Sequence, residues 1–269
     1  MVTPSKKAAV GWVLVSYFMI AGGFTVAAVV VALANMHTEL ARDAAFFAGA
    51  LIGGFFAGRA SPHKAVAEPA IAGLLFVPTL VAVFAIGLGW HLKIGPAEQT
   101  ALVVALKMGG VSGLGGLVGG LIGRRSPRVA PGTSALRWWG IAMLIHLGAT
   151  LVVAMLLTVA LAHSADDGTG LIFLALGISA LLGGFIAQAA VARRLLWTSG
   201  AGSFALALLG VAVATGRGEL SGSIFFGGFI LGGLTTLIGA FGALLGWQLI
   251  ARHAEPPTAS DLPEAHLHS

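Results

Sequence analysis

The octapeptide Ala50-Leu51-Ile52-Gly53-Gly54-Phe55-Phe56-Ala57 returns as Ala180-Leu181-Leu182-Gly183-Gly184-Phe185-Ile186-Ala187, with six of its eight positions identical. Both copies are apolar throughout and centred on a glycine pair. In a water-exposed helix each glycine would cost roughly 1 kcal/mol relative to alanine. Between helices in a bilayer the same glycines let two backbones approach closely. The octapeptide therefore reads as the middle of a membrane helix that occurs twice.

Composition agrees with that reading. The 269 residues are 57% hydrophobic and 9% charged, and include 40 glycines. Mean hydropathy is +0.96. So little charge cannot cover a surface against water, whereas a surface against lipid needs none. The glycines show no period of three and only 10 prolines accompany them, which excludes collagen. Absence of cysteine removes disulfides, thiol catalysis and cysteine-ligated metals.

A spanning helix needs about 20 apolar residues. Working outward from the octapeptides, we read eight such runs: 8–34, 44–60, 70–92, 100–123, 138–162, 170–192, 199–216 and 222–251. A β-barrel would show short alternating segments instead. The fold class expected is an all-α polytopic bundle. Lys6 and Lys7 ahead of the first run resemble a secretion signal, but that run exceeds the length of a signal's apolar region, so it is read as a retained span.

Charge placement tests the count. Lys6, Lys7, Arg59, Lys64, Arg124, Arg125, Arg128, Arg137, Arg193, Arg194 and Arg252 fall on one side of an eight-span chain; Arg42, Lys93 and Arg217 fall on the other. Eleven against three follows the positive-inside rule, with both termini in the cytoplasm of a cell membrane, for which a bacterial inner membrane is expected. The net charge of +5 is thus spent on orientation, and no nucleic-acid partner is expected. All six tryptophans lie near span ends, at the depth of an aromatic belt.

The repeat divides the chain into residues 1–132 and 133–252, each a four-span unit, followed by a polar tail, 253–269, expected to be disordered. Gly119 to Gly123 and Gly242 to Gly246 are a weaker matching pair in spans four and eight. Units with an even number of spans share one orientation, so their symmetry axis runs along the membrane normal. Gly58-Arg59-Ala60-Ser61-Pro62 and Gly123-Arg124-Arg125-Ser126-Pro127 hint at an older two-span hairpin.

Small residues four apart share one helix face. Span two carries Gly49, Gly53, Gly54 and Gly58; span four carries Gly115, Gly116, Gly119, Gly120 and Gly123, with Ser112. Gly183 stands in span six; Gly228, Gly232, Gly242 and Gly246 stand in span eight. These glycine zippers are expected to be helix-packing faces, inside the chain or between copies of it. The odd spans are bulkier, so they are expected to face lipid around an inner set of even spans.

Chemistry is sparse. No Asp or Glu falls within the spans as read, which leaves no paired carboxylates at membrane depth. Lys107 is the one charge inside a span, about 10 Å deep at 1.5 Å per residue. It is expected to snorkel toward the surface, or to hold an anion or lipid headgroup. His146 is a lone histidine without a second one a turn away, so no metal is expected. Ser16, Thr25, Gln188 and Thr235, with Lys107 and His146, are the candidates for a polar path, although such hydroxyls most often bond their own backbone. The glycine runs lack a following Gly-Lys-Ser/Thr, so no phosphate loop, cofactor or catalytic set is expected.

The leading functional expectation is a non-catalytic membrane scaffold or partner subunit, with the lipid bilayer, further copies or other membrane subunits as partners. The alternative is a transporter or channel for a small solute or lipid, using a path between the two units.

Overall fold

The structure, a computed structural model, describes residues 6–61, 66–87, 96–125, 135–161, 169–190 and 222–249, together with Phe204 and Val211. These residues form helices and short connections, with no strand among them. Span seven, apart from those two positions, and the tail lie outside the described residues.

Helix α1 covers Lys6–Leu33. It ends where Asn35 takes a left-handed φ of 50°, and Met36 N–H reaches back to Val31 O at 3.1 Å. That closure satisfies a carbonyl the helix end would leave unpaired, and asparagine tolerates the conformation. Thr38 then caps α2, Glu39–Ala60, by accepting from Ala41 N–H at 3.3 Å. This cap starts the helix five residues before the apolar run at Ala44, so Glu39 and Asp43 stand inside it. The expectation that no carboxylate belongs to a membrane helix is corrected here.

Span three is not continuous. It is built as α3, Ala67–Leu74, and α4, Phe76–Gly87, broken at Leu75. Pro78 explains the break. It has no N–H to offer Leu74 O, and its ring crowds that carbonyl; within the first turn of a new helix both faults vanish. Leu75 N–H bonds Ile71 O at 3.0 Å and Thr79 N–H bonds Leu75 O at 3.2 Å, so the backbone stays paired across the joint.

The remaining elements are α5, Pro96–Arg125; α6, Ala135–Leu161; α7, Thr169–Ala190; and α8, Gly222–Leu249. Four helices contain stretches long and apolar enough to cross a membrane: Gly11–Leu33, Glu39–Ala60, Gln99–Arg125 and Phe225–Leu249.

The principal packing partners are α2 with α5, α7 with α8, α1 with α2, α6 with α7, and α1 with α6. Helix α3 lies on α5 and α1. The pair α1 and α6 forms the joint. Val15 and Met19 share an apolar cluster with Ile141 and Ile145, joined by Ala57 of α2 and Ala187 of α7. A second cluster gathers Tyr17, Ile20, Ala21, Phe24, Ala50, Ala72 and Phe76.

The expected layering is therefore corrected. In the apolar window of α1, 56% of residues are buried, against 28% in α2, 33% in α5 and 28% in α8. Span one is central although its far end is bulky. Its middle is small: Ser16, Ala21, Gly22, Gly23 and Thr25. Exposed positions fall toward its two ends, at Leu14 and at Val26, Val30 and Leu33.

Candidate functional site

The glycines do most of the positioning. A Cβ built on Gly54 would lie 2.6 Å from Gly116 O, and one on Gly58 would lie 2.7 Å from Gly120 O. Carbon does not approach a carbonyl oxygen that closely, so these contacts exist only because no Cβ is there. Gly119 meets Leu51 O and Gly123 meets Phe55 O in the same way. Together they seat α5 on α2 along several turns, where dispersion and Cα–H···O contacts accumulate.

The pair α7 and α8 repeats this register. Gly184 faces Gly239 O, Gly242 faces Leu181 O and Gly246 faces Phe185 O. Leu181, Gly184 and Phe185 are the octapeptide residues that correspond to Leu51, Gly54 and Phe55. The hydroxyls agree as well. Ser112 Oγ donates to Gly109 O at 3.0 Å in α5, and Thr235 Oγ1 donates to Gly232 O at 3.2 Å in α8.

The joint between α1 and α6 is reciprocal. Gly22 lies against the backbone of Leu144, and Gly148 lies against Phe18 O. Beside it, Gly53 of α2 lies 2.5 Å, at its missing Cβ, from Met19 O, while Gly183 of α7 faces the ring and backbone of His146, with Nδ1 at 3.1 Å. Of the sequence-predicted packing set, Gly49, Gly115, Gly116 and Gly120 also meet neighbouring elements. Gly232 is buried and its carbonyl accepts from Thr236 Oγ1 at 2.7 Å; Gly228 is half-buried.

The candidate polar-path residues of the spans, Lys107 apart, are buried, and two of them bond backbone carbonyls. Thr25 donates to Ala21 O at 3.1 Å and spans to Leu147 O at 3.5 Å, fastening α1 to α6. Thr235 also bonds Leu231 O, at 2.8 Å, on its own helix. His146 is buried in the α6 contact with α7 and Gln188 is buried in α7. Ser16 is fully buried in α1, and its Oγ has no hydrogen-bond partner among the described residues.

Lys107 stands apart from all of these. Its ammonium pairs with Glu39 and, at 2.8 Å, with Asp43 of α2. Its partners in the bundle are thus two carboxylates from the first turns of α2. The glycine faces bring α2 beside α5, and that places the lysine opposite the first turns of α2.

Sequence reasoning missed several residues that matter. Gly22, Gly23 and Gly148 have no glycine four positions away, so a stripe search passes over them. Ser112 was read into the span-four stripe and Tyr17 is a polar residue of span one, but their partners were not legible: Ser112 Oγ ties α5 to α3 through Gly73 O at 2.7 Å, and Tyr17 OH ties α1 to α4 through Thr79 Oγ1 at 2.9 Å. Ser61 Oγ donates to Glu68 at 3.0 Å, and both are buried. The signal for Glu68 was a carboxylate directly before Pro69 at the edge of an apolar run. Among the described residues, no three His, Asp or Glu side chains gather as metal ligands.

No family model, curated protein or solved structure matches this chain.

Proposed function

We propose that the chain is a non-catalytic, multi-pass membrane scaffold or partner subunit, built from two parallel four-span units whose glycine-zipper helices pack each unit internally. The observation that carries this reading is the fate of the polar residues. Ser16, Thr25, His146, Gln188 and Thr235 are each buried, Thr25 and Thr235 bond backbone carbonyls, and Lys107 is paired with Glu39 and Asp43. Buried polar groups that bond their own or a neighbouring backbone serve packing rather than passage.

The two-unit architecture is supported by the matching registers of α2 on α5 and α7 on α8, and by the reciprocal joint at Gly22 and Gly148. Eight spans, cytoplasmic termini and a bacterial inner membrane rest on hydropathy and on the eleven-to-three distribution of Lys and Arg. The glycine faces are largely occupied within the chain. A partner therefore meets the bulky outer surfaces, such as Val103, Leu106 and Leu114 of α5 or Phe226, Ile230 and Leu237 of α8, all well exposed. Contact there would come from side-chain packing in lipid.

Native mass spectrometry of the protein from a mild detergent tests this. The expected result is a defined oligomer or a stoichiometric complex with another membrane protein. A monomer that catalyses solute flux in proteoliposomes would contradict the proposal and favour the transporter reading.

A further inference from the structure

Helices α2 and α5 both contain stretches long and apolar enough to cross a membrane, and they run parallel. Gly54 of α2 meets Gly116 of α5, and Gly58, one turn on, meets Gly120, so the two registers advance in step. Their last turns therefore end on the same side. Those turns carry Arg59 on α2 and Arg124 and Arg125 on α5. At this end the carboxylate among the described residues is Glu68, which is buried under α3 and accepts from Ser61 at 3.0 Å. Three cations against one buried carboxylate leave the end positive.

Each helix of the pair is covered on one flank. Gly49 and Gly53 turn α2 toward α1, and Gly116 and Gly120 turn α5 toward Pro69 of α3. The seam itself is closed at backbone distance, Gly119 on Leu51 O and Gly123 on Phe55 O. The remaining flanks lie together on the outside of the pair. On α2 that flank carries Ile52, Phe55 and Arg59; on α5 it carries Val118, Leu121 and Arg125, in both cases at helical spacing. Ile52, Leu121 and Arg125 are exposed, while Phe55, Val118 and Arg59 are half-buried. The pair thus presents a shallow apolar furrow with a guanidinium on either side of its end.

The depth of the two charges follows from register. Arg59 N lies 3.2 Å from a Cβ built on Gly123, so Arg59 is level with Gly123, and Arg125 follows about 3 Å further along α5. The Arg59 guanidinium is folded back, with Cζ 5.3 Å over the Phe55 ring one turn inside the helix end. That cation–π contact holds the charge beside the furrow rather than beyond it.

We infer that the furrow seats an anionic phospholipid, with its phosphate between Arg59 and Arg125 and an acyl chain along Ile52, Phe55, Val118 and Leu121. Charge selects the occupant. Guanidinium forks match phosphate oxygens, and basic sites between membrane helices take anionic headgroups. The apolar floor takes hydrocarbon, which a free phosphate ion lacks. The negative ends of the two helix dipoles repel an anion placed on the helix axes, so the arginine side chains draw the headgroup to the flank. The inference needs α2 and α5 to cross the bilayer; it is the same for a scaffold and for a transporter.

The test is native mass spectrometry of the intact protein from a mild detergent, titrated with phosphatidylglycerol or with phosphatidylcholine of the same acyl chains. Phosphatidylglycerol should be retained about 25-fold more strongly, two charges at about fivefold each. Arg59→Gln and Arg125→Gln should each weaken its retention about fivefold and leave phosphatidylcholine unchanged, and Arg125→Lys should keep most of it. Arg42→Gln, exposed at the opposite end of α2, should alter neither lipid. Equal retention of the two lipids overturns the proposal, as does retention indifferent to Arg125→Gln or weakened as much by Arg42→Gln. Displacement by an excess of inorganic phosphate also overturns it, since the site would then bind the ion without the chain. So does a dimer that Arg125→Gln dissociates, which would seat a second copy in the furrow.

Discussion

Gly148→Ala is expected to weaken the protein by about 1–3 kcal/mol, the usual range for overpacking a close contact. The new methyl would fall inside the van der Waals envelope of Phe18 O. A flexible side chain could turn aside, but a backbone carbonyl in mid-helix cannot without breaking its own hydrogen bond. Helix α6 must instead move away from α1, and the apolar cluster of Met19, Ile141 and Ile145 loses contact with it. Gly22→Ala acts on the same joint through Leu144, so the double variant should lose less than the two single losses added together. Gly110→Ala and Gly233→Ala are the controls. Among the described residues, neither position has an atom of another element within 4 Å of a new Cβ, so each should stay within about 0.5 kcal/mol of the parent. Unfolding in detergent, followed by tryptophan fluorescence, measures all five variants. Equal loss at Gly148 and Gly110 would mean that α1 and α6 do not meet at glycine.

A larger side chain at the paired glycines should damage one half at a time. Gly119→Leu drives an isobutyl group into the Leu51 carbonyl and separates α5 from α2; Gly242→Leu does the same through Leu181 O and separates α8 from α7. Each should cost about 3 kcal/mol, the upper end of overpacking, because the obstacle is backbone on both sides. Hydrogen exchange localises the damage. For Gly119→Leu, peptides from α2 and α5 should exchange faster while those from α7 and α8 keep their rates; Gly242→Leu should give the converse. Acceleration spread evenly over both halves would show that the two glycine pairs are not separate units.

Much of this packing is legible in the sequence, because glycines spaced by four mark a helix face whatever the helix meets. Gly53, Gly54, Gly119 and Gly242 were found that way, and each sits at a close contact. Which helix stands at the centre was not legible. The bulky run from Val26 to Leu33 suggested that α1 faces lipid, but burial follows the small middle of the helix rather than its wide end. The break in span three was written in Pro78, yet a hydropathy average smooths over the missing N–H that causes it.

The charged groups show the limit more sharply. Lys107 lies 68 positions from Glu39, and only the docking of α5 on α2 brings them together. Read alone, the lysine suggested a side chain snorkelling toward the surface or holding an anion or lipid headgroup. Glu68 falls just outside an apolar run and reads as a loop residue, whereas α3 carries it beneath Ala72 into the bundle. Pattern locates faces; it does not say which faces meet.

Sidedness tests the account most directly, because parallel units require equivalent loops to emerge on the same side of the membrane. The chain has no cysteine, so single-cysteine variants report cleanly. Asn35→Cys and Ser164→Cys follow the first span of each unit; Ser126→Cys and Ser260→Cys follow the fourth. With a membrane-impermeant maleimide on intact cells and on inverted vesicles, the first two should label from the outside and the last two from the cytoplasmic side. Asn35 and Ser164 labelling from opposite sides would contradict the parallel arrangement and the eight-span chain on which it depends.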